Sequence, residues 1–130
     1  MVGPEAYKKR ILIVDDEAVI CRFCQRVLTE DGFEVDIAAD GRAAQSMISK
    51  QDYDLYLIDI KMPLMDGKEL YELLQKRDPC ITNRIVFTTG SAIGQHTERF
   101  LKSSGRLVLL KPFTTEELRA VVNKALTEPW

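Results

Sequence analysis

Only three cysteines and one histidine occur in this 130-residue chain. An odd cysteine count does not suit a disulfide framework, and the reading that follows is a reducing cytoplasm. Cys21 and Cys24 form a C-x-x-C, but Cys80 and His96 stand far from it in sequence, too few partners for a structural zinc centre. The pair lies a turn or more inside an expected helix, so Cys21 and Cys24 read as small core residues. His96 has polar neighbours and reads as a surface residue. No apolar run approaches the ~20 residues that span a bilayer, and Met1–Arg10 has no apolar stretch of the kind a signal peptide carries. Neither sign of charge dominates: 18 Lys and Arg stand against 20 Asp and Glu. That balance gives no general attraction to nucleic acid or to an anionic membrane. Seven Gly and five Pro exclude collagen-like and low-complexity classes. Three phosphate and nucleophile motifs are missing as well: no G-x-x-x-x-G-K-[ST], no G-x-G-x-x-G after a strand and no G-x-S-x-G.

What is present is a regular alternation. The length fits one domain. Aliphatic runs at Ile11–Val14, Leu55–Ile58, Ile85–Thr88 and Leu107–Leu110, with a more polar Phe33–Ala38, read as five strands. Between them lie amphipathic segments. Ile20, Phe23, Cys24, Val27 and Leu28 share one helical face, as do Ala44, Met47 and Ile48, then Leu70, Leu73 and Leu74, and finally Leu118, Val121, Val122, Ala125 and Leu126. Residues 92–104 carry the weakest pattern, with Phe100 and Leu101 their only large apolar neighbours. Thr114 or Thr115 caps the last helix, and Asp66 the third. Five β-α units with near-continuous aliphatic strands predict an α/β fold: a doubly wound, five-stranded parallel sheet with helices on both faces.

Such sheets bind ligands beyond the carboxyl ends of their strands. There the sequence places Asp15, Asp16 and Glu17, then Asp59, then Thr88 and Thr89, then Lys111. Any one of these alone is an ordinary cap or turn residue; their joint occurrence at successive strand ends is not. Carboxylate oxygens suit a hard cation such as Mg²⁺, a hydroxyl and an ammonium suit phosphoryl oxygens, and Asp59 at a buried strand end is placed as a nucleophile. Asp40, Asp54 and Asp78 read as turn or surface residues.

The stretches Ile11–Glu17 (ILIVDDE), Leu57–Gly67 (LIDIKMPLMDG), Phe87–Gly90 (FTTG) and Leu110–Phe113 (LKPF), in this order and spacing, resemble the receiver domains of two-component response regulators. The resemblance covers about Lys9 to Leu126, leaving residues 1–8 and 127–130 as tails. It implies a flavodoxin-like (βα)5, CheY-like fold and a phosphoprotein of a phosphorelay. Asp59 would accept a phosphoryl group from a histidine kinase or a histidine phosphotransfer domain. Asp16 would bind Mg²⁺ directly and Asp15 largely through water. Asp59 and the backbone carbonyl of Lys61 would complete the metal contacts, Thr89 would be the switch hydroxyl, and Lys111 would pair with a phosphoryl oxygen. Lys61 and Ser91 stand where the family tunes dephosphorylation. Two positions depart from the pattern: Val108 replaces an aromatic residue three before the lysine, and Gly90 replaces a small alanine. The signal is therefore expected to leave through backbone movement of Gly90–Gly105, a segment with permissive glycines and few apolar anchors. A receiver-like interaction module that is never phosphorylated is the alternative. An aspartyl-phosphate phosphatase is disfavoured, because Lys61 stands where a second Asp would act as acid and base. The sequence leaves open the kinase, the output, and whether the chain is free-standing or part of a hybrid kinase.

Overall fold

The computed structural model describes residues 8–62, 65–90 and 94–127. Five strands, β1 (Arg10–Val14), β2 (Glu34–Ala38), β3 (Leu55–Asp59), β4 (Ile85–Thr89) and β5 (Leu107–Leu110), alternate with α1 (Ala18–Glu30), α2 (Gly41–Lys50), α3 (Gly67–Arg77), α4 (Gln95–Ser104) and α5 (Thr115–Thr127). All four strand pairings are parallel and the order is β2-β1-β3-β4-β5. The order reverses at β1, which opens a crevice between β1 and β3 at their carboxyl ends.

The strand period of two divides the aliphatic residues between two cores. Leu12, Val14, Tyr56, Ile58, Ile85 and Phe87 face α2, α3 and α4, where they meet Ala44, Ile48, Leu70, Leu74 and Leu101. Ile11, Ile13, Leu55, Leu57, Val86 and Leu109 face α1 and α5, where they meet Cys24, Val27, Leu28, Leu118 and Val122. Each fully buried aliphatic side chain contributes about 1.5–3 kcal/mol. The expectation of strands covered on both faces holds for the central β1, β3 and β4. It does not hold for β5, an edge strand that leaves Leu110 62% exposed and Val108 37% exposed. β2 is the other edge and is only partly buried, as its mixed pattern predicts.

The helix starts follow local chemistry. Asp40 and Asp66 cap α2 and α3 by accepting from the Ala43 and Glu69 N–H groups. Thr114 and Glu117 form a reciprocal capping box at α5, Thr114 Oγ1 accepting from the Glu117 N–H and Glu117 Oε1 from the Thr114 N–H. α5 runs through Thr127, one residue beyond the expected end of the domain. The sequence reading missed a 3₁₀ segment, Pro79–Arg84, that follows α3. Asp78 starts it by accepting from the Cys80 N–H, and the Thr82 hydroxyl donates to the Pro79 carbonyl. α4 is also better anchored than its pattern suggests. Phe100 sits edge-on to Tyr71 (5.3 Å between centroids) and to Phe87 (5.5 Å), with Leu101 buried beside it. Gly105, at φ 69°, closes the helix in the left-handed conformation. Ser91 lies outside the described residues, as do Pro63 and Leu64 of the 57–67 stretch.

Candidate functional site

The residues beyond the strand ends meet over the crevice. β1 delivers Asp15, whose N–H donates to the Ala38 carbonyl and whose side chain is buried. β3 delivers Asp59, its last residue, also buried. Gly67 fixes the backbone behind Asp59: its N–H donates to the Ile60 carbonyl at 3.0 Å, and a Cβ there would stand 2.7 Å from the Asp59 carbonyl oxygen and 2.8 Å from Ile60 Cα. Only glycine allows α3 to start this close to β3. β5 delivers Lys111, whose N–H extends the ladder to the Thr89 carbonyl at 2.7 Å.

Lys111 is the hub. Its ammonium lies 2.8 Å from Asp15 Oδ2, 2.9 Å from Glu17 Oε1 and 3.3 Å from Asp59 Oδ2. Burial lowers its pKa, but the hydrogen bonds to Asp15 and Glu17 and the charges of Asp15 and Asp59 outweigh that and hold it above the usual lysine value. One cation therefore serves three carboxylates. Asp59 feels the shortfall: burial, then repulsion from Asp15, pushes its carboxyl from 3.8 up to about 6, despite Lys111 and the Lys61 N–H, which donates to Asp59 Oδ1 at 3.2 Å.

Asp15, Glu17 and Asp59 each offer an oxygen within 4.8 Å of the others, a group that could hold a metal ion. An all-oxygen, carboxylate-rich donor set with excess negative charge suits a hard divalent cation. Asp16, the expected direct ligand, is exposed and is not part of this group. The reason is local: Asp15 Oδ1 accepts from the Glu17 N–H at 2.9 Å, and the turn so formed presents Glu17, not Asp16, to Lys111. The sequence placed Glu17 at this edge but carried no signal for which of the two acids the turn directs inward. Thr89 is buried, and its hydroxyl donates to the Gly90 carbonyl at 3.3 Å rather than to a carboxylate.

The structure bears out the reading of the cysteines. Cys21 and Cys24 are buried in α1, and the Cys21 thiol donates to the Asp15 carbonyl. Burial, then the charge of Asp15, pushes the two thiols up to about 11 and about 12, so neither is a thiolate at neutral pH. His96 is exposed on α4.

The response regulator receiver domain family, compared as a sequence profile, matches residues 11–123. The chain belongs to this family. A receiver domain is a signalling module of two-component systems. This one is 31% identical to transcription factor SKN7 of Saccharomyces cerevisiae over 91% of the chain, and 33% identical to the transcriptional regulatory protein TctD of Salmonella typhimurium over 85% of it. It spans only 19% of SKN7 and 49% of TctD. The receiver domain is also similar to solved structures. A CheY-like response regulator receiver domain protein from Methanospirillum hungatei superposes with a TM-score of 0.83 at 32% identity, covering 92% of this chain and 94% of that one. The chemotaxis protein CheY4 of Vibrio cholerae superposes with a TM-score of 0.82 at 27% identity, covering 92% and 100%. Among the described residues, no helix is long and apolar enough to cross a membrane.

Proposed function

We propose that this receiver domain accepts a phosphoryl group on Asp59 from a phosphohistidine of a cytoplasmic histidine kinase or phosphotransfer protein, with Mg²⁺ as cofactor. The observation that carries the reading is the arrangement around Lys111: a buried nucleophilic carboxylate, a second buried carboxylate and one ammonium, all within reach of one point. At neutral pH Asp59 is mostly ionised, because its pKa of about 6 lies below 7, yet its oxygens remain more basic than those of a solvated carboxylate. An Asp59 oxygen attacks phosphorus, the P–N bond breaks, and the departing imidazole nitrogen keeps the electron pair. The Lys61 N–H holds the other carboxylate oxygen and so fixes the plane of the attacking group. Lys111 donates to the phosphoryl oxygens as charge builds on them. Mg²⁺ would be held by Asp15, Asp59 and the Lys61 carbonyl, with Asp16 or Glu17 contributing, and when bound it supplies positive charge beside the transferring phosphoryl group. Thr89, by turning from the Gly90 carbonyl to a phosphoryl oxygen, passes the change to the Gly90 backbone.

The relatives that are transcriptional regulators support an output on gene expression through whatever protein this domain serves. The test uses a small phosphodonor, acetyl phosphate, with Mg²⁺. One phosphoryl group is incorporated, and Asp59→Asn or removal of Mg²⁺ abolishes it. Equal incorporation in Asp59→Asn overturns the assignment.

A further inference from the structure

One buried polar group at the crevice has no role in the chemistry above. Thr88 is 2% exposed, and its hydroxyl has no hydrogen-bond partner among the described residues. A hydroxyl in that condition is costly, so it calls for an explanation. Its position supplies one. Thr88 pairs in register with Asp59 on β3 and with Leu109 on β5. Registered residues of parallel strands project to the same face, and Leu57, Val86 and Leu109 identify it as the α1 and α5 face. Lys111, two residues beyond Leu109, leaves β5 on that face and reaches Asp59 on β3 and Asp15 on β1. Its side chain must therefore cross β4 on the side from which Thr88 projects. The backbone there is fixed, since the Thr88 carbonyl accepts from the Ile60 N–H at 3.0 Å.

We propose that Thr88 is a positioning residue for Lys111, whose ammonium takes the Thr88 hydroxyl as an acceptor once a divalent cation claims the oxygens of Asp15 and Asp59. The inference rests on the phosphoacceptor reading of the site. In the metal-free protein the three N–H donors of Lys111 are all used, on Asp15, Glu17 and Asp59. A cation bound to the same carboxylates competes for two of those partners. The ammonium is largely buried, so its freed donors need other acceptors. Phosphoryl oxygens provide some, and the waiting hydroxyl on the strand that Lys111 crosses provides another, which keeps the ammonium over the strand end instead of letting it swing toward exposed Glu17.

The two variants that test this are Thr88→Val, which keeps the shape and removes the hydroxyl, and Thr88→Ser, which keeps the hydroxyl and removes a methyl. Two quantities are measured: the melting temperature without ligand, and the affinity for beryllofluoride with Mg²⁺, a phosphoryl mimic, by titration calorimetry. Thr88→Val raises the ligand-free melting temperature by about 4 °C, because an unsatisfied buried hydroxyl is gone. It also weakens beryllofluoride binding by about tenfold, because a hydrogen bond to a charged group is lost. Thr88→Ser lowers the melting temperature and binds beryllofluoride like the parent protein. A role in packing alone would move affinity and stability together. Parent-like affinity in Thr88→Val, or a loss in Thr88→Ser equal to that in Thr88→Val, overturns the proposal. Failure of the unmutated protein to bind beryllofluoride with Mg²⁺ overturns the phosphoacceptor reading itself, and the proposal with it.

Discussion

The two ends of the sheet treat their charged groups in opposite ways. Toward the amino end Asp36, Asp54 and Glu34 each have a donor of their own. Asp36 Oδ2 accepts from the Tyr53 hydroxyl at 2.8 Å and from Gln51 Nε2 at 2.7 Å. Asp54 accepts from the Arg10 N–H, and Arg10 in turn pairs with Glu34 at 3.0 Å and donates to Gln51. At the carboxyl end three carboxylates share one ammonium, and a buried hydroxyl beside them is unsatisfied. A network of paired donors and acceptors does structural work. A crowded, under-compensated one suits the cation and the phosphoryl group proposed for it above. The fold places this crowding at the ends of β1, β3 and β4, the strands it buries on both sides.

The sharpest way to break the comparison is to remove the hub. Lys111→Ala leaves Asp15 and Asp59 facing each other without compensation, and at pH 8 and without Mg²⁺ it should cost about 3 kcal/mol in chemical denaturation. Mg²⁺ should restore most of that loss by binding the folded state. A loss that Mg²⁺ leaves untouched would mean that the carboxylates are not what Lys111 compensates.

Removing a carboxylate should have the opposite sign. The folded protein holds the Asp59 proton more tightly than the unfolded chain, with a pKa of about 6 against 3.8. Ionising Asp59 therefore costs folded-state stability, which falls as pH rises from about 4 to about 6 and then levels off. Asp59→Asn escapes that penalty. It should be more stable than the parent by about 2 kcal/mol at pH 7 and no more stable below pH 4. At the amino end the sign reverses again: Tyr53→Phe deletes a satisfied hydrogen bond and should cost about 1 kcal/mol, with or without Mg²⁺.

The smallest effect separates two neighbours. If the inward acid of the β1 turn helps to hold Mg²⁺, Glu17→Gln should shrink the rise in melting temperature that Mg²⁺ produces, and Asp16→Asn should leave most of it. The reverse result would show that the turn repacks around the cation and brings Asp16 in.

The central strands were readable because aliphatic runs of four or five residues flanked by Asp and Gly have few other solutions. Asp15, Asp59 and Lys111 were readable because strand order alone sends those positions to one edge. Glu17 was placed there too, but not its inward turn, because a single hydrogen bond from its N–H to the Asp15 side chain decides which acid turns inward. Thr88 was placed at that edge as well, but not its orphaned hydroxyl, because no local pattern encodes the lack of a partner among the described residues. The Tyr53, Asp36 and Gln51 network joins β2 to the loop before β3, a contact made by folding that no local pattern encodes. α4 looked weak because its anchor, Phe100 between Tyr71 and Phe87, is a tertiary contact and not a periodic stripe.

The most direct measurement locates the phosphoryl group. The protein is incubated with acetyl phosphate and Mg²⁺, the acyl phosphate is reduced with borohydride to mark the phosphorylated residue as homoserine, and the peptides are mapped by mass spectrometry. Conversion at residue 59, lost when Mg²⁺ is removed, is the predicted result. Conversion at Asp15, Asp16 or any other carboxylate, or none anywhere with Mg²⁺ present, would contradict the account.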